Sequence, residues 1–368
     1  MRLGILGTRG IPASYGGFET FAEKLAIGLV RLGHEVTVYC EACQSPMPAE
    51  FHGVRLRHIA CPRLGPLESI VYDLKCLWDA RTGYDVVYML GYSAAPFCAI
   101  PRLNGAQVWI NPDGLEWARA KWNLIGKVYL RLMEWSAVRV ADRVIADAAA
   151  IAESLATRHG HLPSCTVIPY GCEFVDALPC IDPLADWGLV PESYYLVVCR
   201  LEPENHVLEI LRAFQKSRST RELIVVGNHR AETRYVRELC SVQDPRIRMI
   251  GTVYDQQRLI CLRAHAFAYV HGHSVGGTNP SLLEAMGCGN LVFAHDNPFN
   301  RETLGDCGFF FANPEELTGS INRIELDGIR KEEWRKAVAA RARANYRWPD
   351  VITSYAGLLE QVEVRQAA

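Results

Sequence analysis

The chain has 368 residues, of which 49% are hydrophobic and 22% charged, with 39 basic and 41 acidic side chains and a formal charge of −2. These values exclude disorder over most of the length. With no basic excess, they also exclude a dedicated nucleic-acid binder. At roughly 150 residues per domain, the length predicts two domains.

The first half alternates strand-like and helix-like stretches. Residues 2–6 are a short apolar run that ends in the glycine-rich loop 7–17. Phe21, Leu25 and Leu29 then mark one face of a helix over 18–32, closed by Gly33. Strands are expected over 34–40, 54–59, 85–90 and 108–111, with a helix over 69–80. A long helix over 124–140 and short strands over 143–146 and 165–169 follow. Such βαβα alternation predicts a parallel sheet with helices on both faces. From 171 to 193 the periodicity fades among Pro179, Pro183 and Pro191, and 172–192 is read as a linker.

The alternation restarts with strands over 194–199, 222–226, 247–250, 266–270 and 291–294. Helices are expected over 207–216, 233–241, 256–263 and 280–286, and 331–364 is mostly helical. The expected architecture is thus α/β. Residues 1–171 form one Rossmann-like domain and 193–345 another, and the helix 346–368 packs back on the first. Paired domains of this kind place an active site in the cleft between them.

The 13 cysteines are scattered singly, many inside apolar runs, as with Cys76, Cys98, Cys199 and Cys261. A free thiol there behaves as a small hydrophobe, which predicts a reducing, cytoplasmic setting. The longest uncharged run, 86–101, contains Gly91, Pro96 and Pro101. It falls short of the roughly 20 apolar residues of a membrane span. Cys40-x-x-Cys43, His159-x-His161 and His271-x-His273 lack the further ligands of a metal site, and no Asp-x-Asp is present, so no metal is expected.

Four stretches follow strands and carry chemistry. The loop holding Gly7, Arg9, Gly10, Gly16, Gly17 and Glu19 lets backbone approach a ligand, and the helix after it offers N–H groups to an anion. Its spacing fits a dinucleotide turn poorly, and no ribose-binding acid ends the second strand, since Glu41 lies just beyond it. A structural turn is the alternative. The stretch 271–289 includes Gly276, Gly277, Thr278, Asn279, Pro280 and Glu284. Pro280 suits the first turn of a helix, so 276–279 would present N–H groups to a diphosphate, with Glu284 in reach of a ribose diol. A capped, buried helix start is the alternative. Arg200 directly follows a strand, and its planar fork suits phosphate; a salt bridge to Glu202 or Glu204 competes with that reading. Finally, 111–122 gathers Asp113, Glu116, Trp117, Arg119, Lys121 and Trp122. Indoles stack on sugars, and acids bind hydroxyls or act as bases; a surface loop of solvated charge pairs is the alternative. Asn228 and Thr252 follow strands in the second half and are placed at a base-binding edge by position alone. The stretch 121–143 interleaves Lys127, Arg131 and Arg139 with Tyr129, Leu132 and Trp135. It reads either as a helix with one solvated face or as a surface for an anionic membrane.

These pieces, in this order, resemble the retaining GT-B glycosyltransferases of family four. The motifs are Gly16-Gly17, Ala141-Asp142-Arg-Val-Ile-Ala146, Val167-Ile-Pro-Tyr-Gly171, Arg200-Leu-Glu-Pro-Glu204 and Glu284-Ala-Met-Gly-Cys-Gly289. More specifically, the chain looks like the bacterial rhamnosyltransferases of capsule and exopolysaccharide assembly. The basis is Gly7-Thr-Arg-Gly-Ile-Pro-Ala13, Gly16-Gly-Phe-Glu-Thr20, Asp113-Gly-Leu-Glu-Trp117 and Val275-Gly-Gly-Thr-Asn-Pro-Ser-Leu-Leu-Glu-Ala285. The resemblance implies transfer of rhamnose from dTDP-β-L-rhamnose to a lipid-linked saccharide, with anomeric configuration kept and no metal. The expected donor site is Arg200, Gly277, Thr278, Asn279 and Glu284, with Asn228 and Thr252 added by position alone. Gly16, Gly17, Glu19 and Glu116 would line the acceptor side, with Arg9 as a further cation. The chain departs from the wider family in carrying Gly276 for Glu, Asn205 for Lys and Asp113 for His. Asp113 and Arg200 are the expected catalytic residues, Asp113 being the candidate nucleophile or base. Other readings are a UDP- or GDP-sugar donor, a non-catalytic nucleotide-sugar-binding subunit, and a Rossmann oxidoreductase. The expected partners are a nucleotide-sugar donor and a saccharide acceptor, with peripheral contact at the cytoplasmic face of the inner membrane.

Overall fold

The computed structural model describes residues 1–13, 16–42, 47–62, 65–160, 162–230, 232–326 and 331–367. Cys43 and His161, named above in short cysteine and histidine pairs, lie outside them. The chain divides into two compact units, Met1–Tyr170 with Trp348–Ala368, and Gly171–Arg347.

The first unit runs β1 (Arg2–Leu6), α1 (Gly17–Arg31), β2 (Glu35–Glu41), β3 (Glu50–Phe51), β4 (Val54–Ile59), α2 (Glu68–Asp79), β5 (Val86–Leu90), α3 (Ala99–Leu103), β6 (Gln107–Asn111), α4 (Leu124–Val140), β7 (Arg143–Ala146), α5 (Ala149–His159) and β8 (Ser164–Val167). The strands form one sheet in the order β3-β4-β2-β1-β5-β6-β7-β8. Every pairing is parallel except that of the edge strand β3 with β4. β5 reads Val-Val-Tyr-Met-Leu without alternation because helices cover both its faces and all of its residues are buried.

The C-terminal helix Trp348–Ala367 belongs to this unit. It seats on α1 where Gly28 has no side chain; a Cβ there would meet the Ile352 side chain at 2.3 Å. The phenol oxygens of Tyr355 and Tyr88 are 2.8 Å apart in the core, with both rings packed against Phe21.

The second unit runs α6 (Asp182–Ala185), β9 (Tyr194–Val198), α7 (Val207–Lys216), β10 (Glu222–Val226), α8 (Arg234–Ser241), β11 (Ile247–Gly251), α9 (Gln256–Ala264), β12 (Ala268–His271), α10 (Pro280–Gly287), β13 (Val292–His295), α11 (Pro298–Leu304), β14 (Phe309–Phe311), α12 (Pro314–Leu326) and α13 (Lys331–Asn345). Its all-parallel sheet has the order β11-β10-β9-β12-β13-β14. One face packs through Tyr195, Phe214, Phe267, Phe293 and Leu317, the other through Leu196, Ile224, Leu262, Tyr269 and Ala285.

The stretch 172–192, expected as a linker, is part of this unit. Leu184 and Leu189 are buried in the second core face, and burying two such side chains commits the segment to the domain. The helical tail is divided at 346–347, where the chain passes from one unit to the other.

Candidate functional site

In the second unit the strand order reverses between β9 and β12, which pair directly. Loops leaving the carboxyl ends of two such strands diverge to opposite faces and open a crevice, the usual ligand position in an open α/β sheet. Arg200 leaves β9 here, and residues 272–279 leave β12.

The β12 loop ends in a built helix start. Asn279 caps α10, its Oδ1 accepting from the Ser281 N–H at 2.9 Å, and Pro280 occupies the first turn. Ser281 Oγ is fixed in turn by the Val198 carbonyl at 2.9 Å and the Tyr269 hydroxyl at 2.7 Å. The cap is therefore pinned to both central strands, and the helix dipole points its positive end at the crevice. Gly277 and Thr278, just before the cap, are buried.

Glu284 lies one turn into α10. Its Oε2 is 2.5 Å from Nη2 of Arg263, whose side chain is only 2% exposed while that of Glu284 is 35% exposed. Arg263 comes from the end of α9, and nothing in the sequence pattern links it to Glu284. Burial opposes its charge, and the carboxylate of Glu284, with Tyr269 and Cys288 nearby, more than offsets this and holds its pKa raised.

Arg200 is half-exposed, with Nη1 3.8 Å from Glu202 Oε1. The competing salt bridge is thus present but loose. Asn205 Nδ2 donates to the Arg200 carbonyl at 2.6 Å, and its Oδ1 lies 2.5 Å from His273 Nδ1. Neither Asn205 nor His273 was singled out as a site residue from sequence. They are 68 positions apart, and only the fold brings them together. Beside them His271 is buried, which pushes its imidazole down to about 3, with His295 a smaller cause. Asn228 and Thr252 follow β10 and β11 at the same carboxyl edge, Asn228 exposed and Thr252 half-buried.

The first unit treats its expected site residues differently. Glu19 turns back into the glycine loop: Oε1 accepts from Thr8 Oγ1 at 3.2 Å and from the Arg9 N–H at 3.0 Å. Gly16 caps α1 at φ 123, and a Cβ there would meet Glu19 Oε2 at 2.0 Å. Glu19 and Gly16 thereby fix the loop, and Gly17 opens α1. Arg9 bonds Glu41 Oε2 at 2.9 Å and Ser69 Oγ at 3.0 Å. The expected phosphate helper is an ion-pair partner at the end of β2. The same pair occupies Glu41, the nearest candidate for a dinucleotide ribose.

In the 111–122 loop, Glu116 is held by Arg119 Nε and Lys121 Nζ, both at 2.8 Å, and by Trp122 Nε1 at 3.1 Å. That carboxylate organises its own loop through charge pairs. Asp113 sits in the left-handed region at φ 56, its N–H donating to Asn111 Oδ1 at 2.8 Å. Its carboxylate is 3.9 Å from Arg119 Nη2 and about a third exposed. A further network went unseen in the sequence. Buried Glu134 on α4 binds Trp117 Nε1 at 3.0 Å, Arg158 Nε at 3.0 Å and His159 Nε2 at 2.8 Å.

Residues 188–341, most of the unit that holds the crevice, match the family model for glycosyl transferases group 1. Residues 2–173 match a second model, described as a domain of unknown function (DUF1972). Among curated proteins, O-antigen chain mannosyltransferase B of Escherichia coli is 27% identical over 183 residues, 47% of each chain. The chain thus spans about half the length of that curated relative. Among solved structures, sucrose-phosphate synthase of Thermosynechococcus elongatus superposes with a TM-score of 0.83 at 17% identity, covering 99% of both chains. Alr3699/HepE of Anabaena, solved with UDP and glucose, gives 0.77 at 20% identity over 98% of this chain and 100% of its own. These likenesses show the GT-B fold. No helix among the described residues is long and apolar enough to cross a membrane.

Proposed function

We propose that this protein is a retaining glycosyltransferase that moves L-rhamnose from dTDP-L-rhamnose to a lipid-linked saccharide in cell-surface polysaccharide synthesis, without a metal. One observation carries the reading. At the switch point of the second sheet, Arg200 and a pinned helix start face one crevice, with the anchored carboxylate of Glu284 one turn further on. That combination suits a nucleoside diphosphate: N–H dipoles and a guanidinium for the phosphates, a carboxylate for the ribose hydroxyls.

The chemical demand is to stabilise negative charge on the departing diphosphate. Fixed N–H groups at 277–279 and Arg200 supply that stabilisation without reorganising. Arg263 turns the Glu284 carboxylate so that Oε1 can take the ribose. The base fits against the loops at Asn228 and Thr252. With retention by same-face attack, a leaving phosphate oxygen accepts the acceptor's proton, so no protein base is obligatory. Asp113 is the candidate group on the acceptor side. The rhamnose and dTDP assignments rest on the long motif 275–285 and on 113–117.

A second reading, mannose from GDP-mannose, is favoured by the E. coli mannosyltransferase relative. Contact with a membrane is supported by α4. There Leu124, Ile125 and Trp135 are 78%, 79% and 51% exposed beside Lys127, Arg131 and Arg139. The test is release of free nucleoside diphosphate from dTDP-L-rhamnose, GDP-mannose and UDP-glucose, with EDTA and a bacterial lipid-linked saccharide extract. Release from dTDP-L-rhamnose is expected. Release from GDP-mannose alone selects the second reading, and release from none in the presence of sound acceptor rejects both.

A further inference from the structure

We propose that His273 is a further donor-site residue, a protonated imidazole that hydrogen-bonds the leaving diphosphate; this rests on the donor-site reading above. The stretch 271–289 contains no Lys or Arg, so its chargeable cations are His271 and His273. His271 is buried and kept neutral. His273 is half-buried and shares the β12 loop with the helix start.

Its ring is positioned from two sides. Asn205 Nδ2 donates to the Arg200 carbonyl at 2.6 Å, which fixes the amide so that Oδ1 faces the ring. At 2.5 Å from that oxygen, His273 Nδ1 must carry a proton. The close approach depends on Gly272, where a Cβ would meet the Asn205 carbonyl oxygen at 2.1 Å. On the other side, Nε2 reaches Gly276, 2.9 Å from where a Cβ would stand, at a residue with φ 138. One ring nitrogen is thus tied to the Arg200 segment, and the other lies against the glycine turn that leads into Gly277, Thr278 and Asn279. Gly276 makes room for the imidazole.

With Nδ1 protonated, neutral His273 presents a lone pair at Nε2, and the imidazolium presents an N–H. A diphosphate at 277–279 favours the second form, so the imidazole takes up a proton as the diphosphate binds. When the sugar C1–O bond breaks, its electron pair passes to the diphosphate oxygen. The acceptor hydroxyl oxygen bonds C1, and its proton goes to that diphosphate. His273 donates a hydrogen bond throughout and forms no covalent bond. The His271 ring lies beside it, centroids 6.0 Å apart; Arg200, Glu204 and His206 flank Asn205 on the facing segment, and His295 stacks on His206 at 4.4 Å. Ser274, the next residue, is bonded by His206 Nε2 at 2.9 Å and by the Glu204 carbonyl at 3.0 Å.

The experiment is calorimetric titration of the full chain with dTDP, UDP and GDP at pH 7.5, in two buffers of different ionisation enthalpy, for wild type and His273→Gln. Wild type is expected to bind one of the three and to take up more protons than the variant. The variant is expected to bind the same nucleotide about 10-fold more weakly, the scale of one charge-assisted hydrogen bond. Equal proton counts and equal affinities would overturn the role of His273. No binding of any of the three by folded wild type would instead reject the donor-site reading itself. His273→Asn is the second variant, should His273→Gln lose its native circular dichroism, and the same outcomes apply to it.

Discussion

Glu284 Oε2 lies 2.5 Å from Nη2 of a buried Arg263, so the residue best placed for a ribose is also half of an ion pair that the fold depends on. Removing one partner strands the other in low dielectric. Glu284→Ala is therefore expected to lower stability by about 2–3 kcal/mol as well as weaken nucleotide binding. The double variant Glu284→Gln, Arg263→Met should recover most of the stability and none of the affinity. Urea melts of the three proteins check this. A Glu284→Ala protein with wild-type stability would contradict the pairing.

Arg200 tests the phosphate role more cleanly, because its contact with Glu202 is loose. Arg200→Ala should leave the melting temperature within about a degree and cut turnover by about 10²–10³, the range for losing one preorganised charge donor. Unchanged turnover would remove Arg200 from the site.

Two buried groups should tilt stability with pH in opposite directions. Asp73 on α2 is buried, which pushes its carboxyl up to about 6 despite the Ser93 hydroxyl donating to it at 2.7 Å. Its folded value lies above its unfolded value. Its stabilising contribution is therefore complete below about pH 4 and lost as pH rises to about 6. Asp73→Asn should stabilise the first unit at pH 8 by on the order of 2–3 kcal/mol and change little at pH 4.

His271 runs the other way. Its folded value is depressed to about 3, so its contribution is complete above pH 6.5 and fades as pH falls toward 3. His271→Leu should flatten the acid limb of second-unit stability over that window. Melts across pH 3–8 read both effects, and an unaltered slope in either variant would count against that assignment.

The α4 stripe calls for a lipid test. Wild type should co-sediment with anionic phospholipid vesicles at low salt and leave them at high salt. Ile125→Glu with Trp135→Glu should abolish the association and leave donor binding intact. Equal sedimentation of the variant would show that the stripe is not the contact.

The sheets were legible because parallel strands buried on both faces read as short apolar runs, as in β5 and β9, between helices with a clear apolar face such as α1 and α7. The helices α5, α11 and α12 were missed. α11 is short and depends on the Asn297 cap rather than on a stripe, and α5 buries only Ile151 and Leu155; α12 does carry a stripe, Leu317, Ile321 and Ile324, that was passed over. The segment 172–192 looked like a linker because prolines mask the burial of Leu184 and Leu189. At the site, Asn279, Pro280 and Glu284 could be read because capping is local. Arg263, Asn205 and His273 could not, because their partners come from other elements. Glu19, Glu116 and Arg9 show the reverse: residue types suited to a ligand that the fold engages in contacts within and between its own loops.

The most direct measurement is the shift in melting temperature with dTDP, UDP, GDP, ADP and NADH at equal concentration, with and without Mg²⁺. A ligand bound by the folded state alone raises the midpoint by mass action. A shift with dTDP, indifferent to the metal, is expected. A shift with NADH and none with the nucleoside diphosphates would contradict the glycosyltransferase reading of the crevice.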